Sequence, residues 1–299
     1  MTLDLRHLRE NRSHGTPGFP VGIYHMQQEA GQPILESHWH DEVEFLFVEA
    51  GQAVFRVGYD EFELHAGDTV FIGGGELHGA FPLNGSGCSY SAVVFDLNWL
   101  IDPKDGISAN FLQPLNRGRL ALISPATSSA EWGGRILRLL RAIAEMETSS
   151  DPAKEIKVKG MLYLILAEYW SAGEWTAGSR ADGQDARTIE RLKGAMAHIE
   201  RNFNRRLPVG ELAKIAGMSD GHFSRVFKEF MRKTPVEYMN HYRLRQAALL
   251  LGDSALSVGE VALEAGFDNF SYFSKMFKSL YRCSPSDYRR SRGGSGSQH

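Results

Sequence analysis

Hydrophobic and polar positions along this chain follow two different periods. From Val21 to Phe95 apolar residues come in short runs or alternate with polar ones, interrupted by Gly, Asp and Asn. Such runs predict short strands at 22–27, 43–49, 53–57, 61–64, 69–72 and 89–95. Strands of this length and spacing favour a small barrel or a double-sheet jelly roll. From Glu131 the period turns helical. Ile136, Leu140 and Ile143 share a face, and Pro152 opens a second helix through Leu162, Ile165 and Tyr169. After Trp175 the run TAGSRADGQDA has the composition of a flexible linker. Beyond it the pattern predicts helices at 188–202, 209–216, 220–230 and 235–251. A last apolar stripe follows, formed by Phe273, Met276, Phe277 and Leu280 and closed by Pro285. The expected fold class is thus two-domain, an all-β unit with following helices and then an all-α unit.

The α unit contains an internal repeat. Residues 209–228 read VGELAKIAGMSDGHFSRVFK, and 258–278 read VGEVALEAGFDNFSYFSKMFK. Two copies are too few for a solenoid, so a duplicated helix-turn-helix is expected, at 209–230 and 258–281. On the second helix of each copy the phenylalanines fall on one side and hydroxyls and cations on the other, a layout suited to a major groove.

Charge sharpens the division. The chain of 299 residues carries a formal charge of −3. From Asp185 onward there are 19 Lys and Arg against 12 Asp and Glu, hence +7, and the remainder is −10. A basic α unit can neutralise phosphates, and an acidic β unit is repelled by them. The opening MTLDLRHLRENR has no apolar stretch of signal-peptide kind, and the longest apolar run, 161–167, is too short for a membrane span. With only Cys88 and Cys283 no disulfide framework is expected, so the reading is a cytoplasmic protein without a membrane partner.

Gly-Phe at 266–267, Tyr-Phe-Ser-Lys at 272–275, Phe-Lys at 277–278, Ser-Pro at 284–285 and Tyr-Arg at 288–289 together resemble the signature of AraC-type (AraC/XylS) transcription regulators. The resemblance spans roughly the last third of the chain. It implies Ser224 and Arg225 facing bases from the first reader, and Ser271, Tyr272, Ser274 and Lys275 from the second. Lys228 and Lys278 are placed for phosphates. Arg232 and Arg282 stand where the family usually carries a glycine. Implied partners are double-stranded promoter DNA, a small-molecule effector, RNA polymerase and a second copy of the chain. No enzymatic activity and no required cofactor are implied.

HWHDEVEFLFVEAG and GDTVFIGGGELHGAF resemble a cupin, the sensory fold of many such regulators. The domain reading is an arm over 1–20, a cupin effector domain over 21–130 and helices with a dimerisation role over 131–173. A linker over 174–185, a DNA-binding domain over 186–292 and an unstructured tail over 293–299 complete it. His38, His40, Glu44 and His78 match cupin ligand positions. His38 and His40 share strand parity with Glu44, and three imidazoles with a carboxylate suit a divalent transition metal. Those four, with Tyr24, Trp39 and Arg56, are the candidate effector contacts, for a carbohydrate by family analogy. The resulting function is a sequence-specific, effector-responsive regulator, an activator. The alternative is a metal-dependent cupin enzyme, a dioxygenase or sugar isomerase, with a DNA-binding appendage.

Overall fold

The computed structural model describes residues 14–30, 34–177, 184–253 and 256–293. They fall into two compact units that divide between Ile189 and Glu190. Among them no helix is long and apolar enough to cross a membrane. The expected tail lies outside the described residues except for Gly293, as do residues 1–13 of the arm and 178–183 of the linker.

The first unit is a curled sheet of β1 (Val21–Gln28), β2 (Leu35–His38), β3 (Val43–Val57), β4 (Asp60–His65), β5 (Thr69–Ile72), β6 (His78–Pro82) and β7 (Cys88–Phe95). Its path runs β1-β7-β3-β6-β2, all antiparallel, with β4 and β5 also on β3. The two strands expected at 43–49 and 53–57 are one bent strand. Its first half pairs with β5 and β7 and its second with β4 and β6. The register slips between Val48 and Ala50, just before Gly51 at φ 80°. A side chain at Gly51 would stand 2.3 Å from the Gly87 carbonyl oxygen, so the bend requires glycine there.

Both faces of β3 are buried, for different reasons. Val43, Phe45 and Phe47 pack outward with residues of α2 (Glu131–Glu145) and α3 (Lys154–Ala172). Leu46 and Val48 point the other way, into a second cluster with Ile72 and Tyr90. Glu44 has the parity of that inner set. Between β7 and α2 lie a 3-10 turn at Leu97–Leu100, a π-helical turn at Ser108–Leu112, the short helix α1 (Gln113–Asn116) and β8 (Leu120–Leu122). Trp175–Ala177, expected to begin the linker, form β9 and pair with β8. Trp175 stacks on Trp170 at 4.8 Å, so aromatic packing overrides the loop-like composition that follows.

The second unit comprises α4 (Gln184–Asn202), α5 (Val209–Ile215), α6 (Asp220–Met231), α7 (Pro235–Asp253), α8 (Val258–Glu264), α9 (Phe270–Tyr281) and α10 (Pro285–Gly293). Pro285 closes no helix; it opens α10. Ser284 Oγ accepts from the Asp287 N–H at 3.1 Å and caps that start, and proline at the first position has no N–H to lose. Phe227 meets Tyr238 at 5.3 Å in one copy, and Phe277 meets Tyr288 at 5.4 Å in the other. α10 therefore repeats in the second copy the packing that the start of α7 makes in the first. Leu280, expected in the apolar stripe, is exposed, because Tyr281 and Tyr288 fill the space beside Phe277.

Candidate functional site

The readers α6 and α9 are built alike. Ser219 accepts from the His222 N–H and Asn269 from the Tyr272 N–H, so each helix begins on a side-chain cap. Each ends on an arginine in the left-handed region, Arg232 at φ 53° and Arg282 at φ 62°. Phe223, Val226, Phe227 and Phe230 are buried in the first, Phe273 and Phe277 in the second. That leaves Arg225 and Lys228 exposed on α6, and Ser271, Tyr272, Lys275 and Lys278 exposed on α9. Ser224 and Ser274, at matched positions, are half-buried.

Two of these side chains already have partners. An Arg225 guanidinium nitrogen donates to His222 Nδ1 at 3.0 Å. The Tyr272 hydroxyl accepts from Asn240 Nδ2 of α7 at 3.1 Å, which ties the ring to the connecting helix. That helix has 19 residues, roughly 28 Å at ~1.5 Å per residue. Its length is compatible with readers in successive major grooves, which lie about 34 Å apart.

The second cluster lies inside the β unit. His38 and His78 are register partners across β2 and β6, and Glu44 projects from β3 on the same side as His38 and His40. All four are buried. Each imidazole uses Nδ1 on a nearby carbonyl: His38 on Glu36 at 2.9 Å, His40 on Glu42 at 3.0 Å and His78 on Glu76 at 2.8 Å. Those bonds orient the three rings and turn their Nε2 atoms toward one another. The ligand nitrogens lie within 4.8 Å of each other. Glu44 Oε2 stands 3.1 Å from His40 Nε2 and 3.2 Å from His78 Nε2, and His78 Nε2 makes no hydrogen bond.

Electrostatics agree with the geometry. Burial, reinforced by His78 and His40, holds His38 well below the usual histidine range, so it stays neutral. Burial alone would raise the Glu44 carboxyl, but the hydrogen bond with His40 and the adjacent His78 imidazole outweigh it and hold the carboxyl well below its usual range, so Glu44 stays ionised. Three imidazole nitrogens facing one buried space, with a carboxylate beside two of them, form a mixed nitrogen and oxygen donor set. The residues fit a divalent first-row metal.

The adjoining cavity has a volume of about 20 Å³ and is lined by His14, Tyr24, Met26, Leu35, His38, His40, Glu44, Tyr90, Ala92 and Val94. Tyr24 lines it as expected. Trp39 is buried outside that lining, and Arg56 is held by Glu61 of β4, with Nε at 2.9 Å from the carboxylate. Sequence reasoning missed His14, which a polar, Gly- and Pro-rich arm gave no reason to place beside a core.

A pocketed β domain joined to paired, basic helix-turn-helix units defines a ligand-responsive DNA-binding protein. Residues 20–166 match the family model described as an AraC-like ligand binding domain, and residues 212–291 match a helix-turn-helix domain model. The uncharacterized HTH-type transcriptional regulator YdeC of Bacillus subtilis is 25% identical over 288 residues, covering 95% of this chain and 97% of its own. The TetD protein of transposon Tn10 from Escherichia coli is 32% identical over 101 residues, 34% of this chain and 73% of that protein. Among solved structures, the DNA-binding domain of AdpA in complex with a target DNA is 28% identical, covering 36% of this chain and 98% of its own with a TM-score of 0.35.

The chain belongs to the AraC family of transcription regulators. It is a DNA-binding regulator with a ligand-binding domain, and relatives such as YdeC and MtrA are named as transcriptional regulators, not enzymes.

Proposed function

We propose that the chain is a metal-responsive, sequence-specific activator whose β domain, read as a cupin, binds a divalent transition metal ion. The observation that carries this is the convergence of His38, His40 and His78 nitrogens in a buried space, with the Glu44 carboxylate beside His40 and His78. The metal would supply a positive charge at their focus. The cavity size argues against the carbohydrate suggested by family analogy. A space of about 20 Å³ is room for roughly one water or ion, and Trp39, the expected stacking ring, does not line it.

On the DNA side α6 and α9 would read neighbouring grooves, with Arg225, Ser224, Ser271, Ser274 and Lys275 on bases and Lys228 and Lys278 on phosphates. Activation through RNA polymerase rests on the resemblance to AraC-type activators. For the ion to switch transcription, it must bind one DNA-binding arrangement more tightly than the other. The test is operator binding by the whole protein with Zn²⁺, Ni²⁺ or Co²⁺ and after chelation. A metal-dependent change that His78→Ala abolishes supports the reading; metal-indifferent binding refutes it.

A homodimer through α3 is supported by a separate observation. Ile156 and Leu164 on that helix are 77% and 56% exposed, and Leu164 borders an apolar groove of about 500 Å³ with Ile107, Phe111 and Trp170. Leu164→Glu is expected to shift the protein to monomer in sedimentation equilibrium; an unchanged mass would remove this face from the interface.

A further inference from the structure

Both readers end on a residue that works against their stability. Arg232 and Arg282 close α6 and α9 in the left-handed region, at φ 53° and φ 62°. Glycine enters that region without the Cβ penalty an arginine meets there, and helices commonly end on it. Each arginine also follows a lysine by four residues, Lys228 in the first copy and Lys278 in the second. Like charges at that spacing are neighbours on a helix and repel. The Arg282 N–H donates to the Lys278 carbonyl at 2.9 Å, so the helix is still wound where the second cation falls one turn beyond the first.

The helix ends do not need these arginines for their charge. A cation complements the negative end of a helix, but Lys228 and Lys278 already stand in the last turns. What the arginines complete is a repeated pattern. Arg225, Lys228 and Arg232 recur at matched positions as Lys275, Lys278 and Arg282, and all six are exposed. Steps of three and four residues keep each trio on one side of its helix, opposite the buried Phe223, Phe227, Phe273 and Phe277. Seven residues of helix rise roughly 10 Å, which compares with the ~8.5 Å depth of the major groove. A reader that enters with its N-terminal residues at the base edges carries its last turn toward the flanking backbone.

We propose that Arg232 and Arg282 are phosphate contacts, each guanidinium gripping the DNA backbone beside the phosphate met by Lys228 or Lys278. A guanidinium offers parallel N–H donors that match two phosphate oxygens, which a lysine ammonium does not. The local cost in both copies is thus offset when the duplex is bound. This rests on the placing of Lys228 and Lys278 at phosphates and adds one backbone contact to each reader.

Salt titrations of the full chain on a random-sequence duplex and on a duplex of its own promoter test this, beside denaturant unfolding. Arg282→Gly is expected to raise stability yet weaken both duplexes, on the order of 5-fold near about 0.15 M salt, and to lower the salt slope by about 1. Rising stability with falling affinity separates a lost contact from a damaged fold. Arg232→Gly is expected to give the same loss of affinity and slope, and the double variant to lower the slope by about 2. Arg282→Lys keeps the charge and is expected to keep the slope. Unchanged affinity and slope in both glycine variants, with Lys278→Ala still lowering the slope, would overturn the assignment and leave the lysine contacts standing. A loss confined to the promoter duplex would make these base contacts and overturn it as well. An unchanged slope in Lys278→Ala too would remove the phosphate reading of the whole face, and this assignment with it.

Discussion

At the residue scale the two readers present different chemistry from one scaffold. Arg225 is the long donor on α6, and its guanidinium can grip a guanine in bidentate fashion once it leaves His222. Arg225→Ala is expected to cost about 1–3 kcal/mol on the specific site and to relax preference at one base pair, measured by competition binding against single-substitution operators. Equal losses on specific and random DNA would deny it a base. Lys278→Ala should instead weaken all sequences alike and lower the salt slope by about 1. Tyr272 differs again. Its hydroxyl is engaged by Asn240, so Tyr272→Phe is expected to loosen the seating of the ring rather than change base preference. A switch in preferred base on that substitution would show the hydroxyl reading DNA directly.

At the element scale the duplicated sequence hides unequal local solutions. Ser257 and Glu260 form a reciprocal capping box at the start of α8, with the Ser257 N–H donating to Glu260 Oε2 at 2.7 Å. The matching helix α5 has Pro208 at its cap, which offers no such side chain. Its glutamate, Glu211, turns instead to Arg205 and to His198 of α4, the latter at 2.7 Å. Arg205 chiefly, then His198, holds the Glu211 carboxyl down at about 2. Because the folded value is depressed, this contribution is present above about pH 4.5 and lost as pH falls through about 2. Glu211→Gln is therefore expected to flatten the pH dependence of unfolding in that window, as followed by denaturant titration; an unchanged slope would contradict it. The left-handed Arg282 gives a further check. Arg282→Gly is expected to raise stability by ~0.5–1 kcal/mol, since glycine removes the backbone cost at the helix end.

Element type followed from periodicity wherever one face was buried, as in α2, α6 and α9, and from the repeat, which put both readers in register. It failed where tertiary context decides. Two expected strands became the single bent β3, because a slip beside Gly51 lets one strand serve both halves of the sheet. Trp175–Ala177 read as linker until stacking on Trp170 and pairing with β8 are seen. The clustering of His38, His40 and Glu44 was legible from their shared parity, whereas the burial of His14 depends on a turn that no period announces.

At the scale of the whole molecule the charge split, −10 for the sensory part and +7 for the DNA-binding part, sets which surface can approach a duplex. Two capped reader helices, braced by a rigid connecting helix, imply a bipartite footprint on one face of the DNA, its halves about one helical turn apart. Hydroxyl-radical footprinting of the full chain on its own promoter, against excess bulk competitor, tests this most directly. The account predicts two protected patches separated by roughly 10 base pairs, both weakened by Arg225→Ala and Lys275→Ala. A single patch, or protection that bulk DNA competes away at equal concentration, would contradict it.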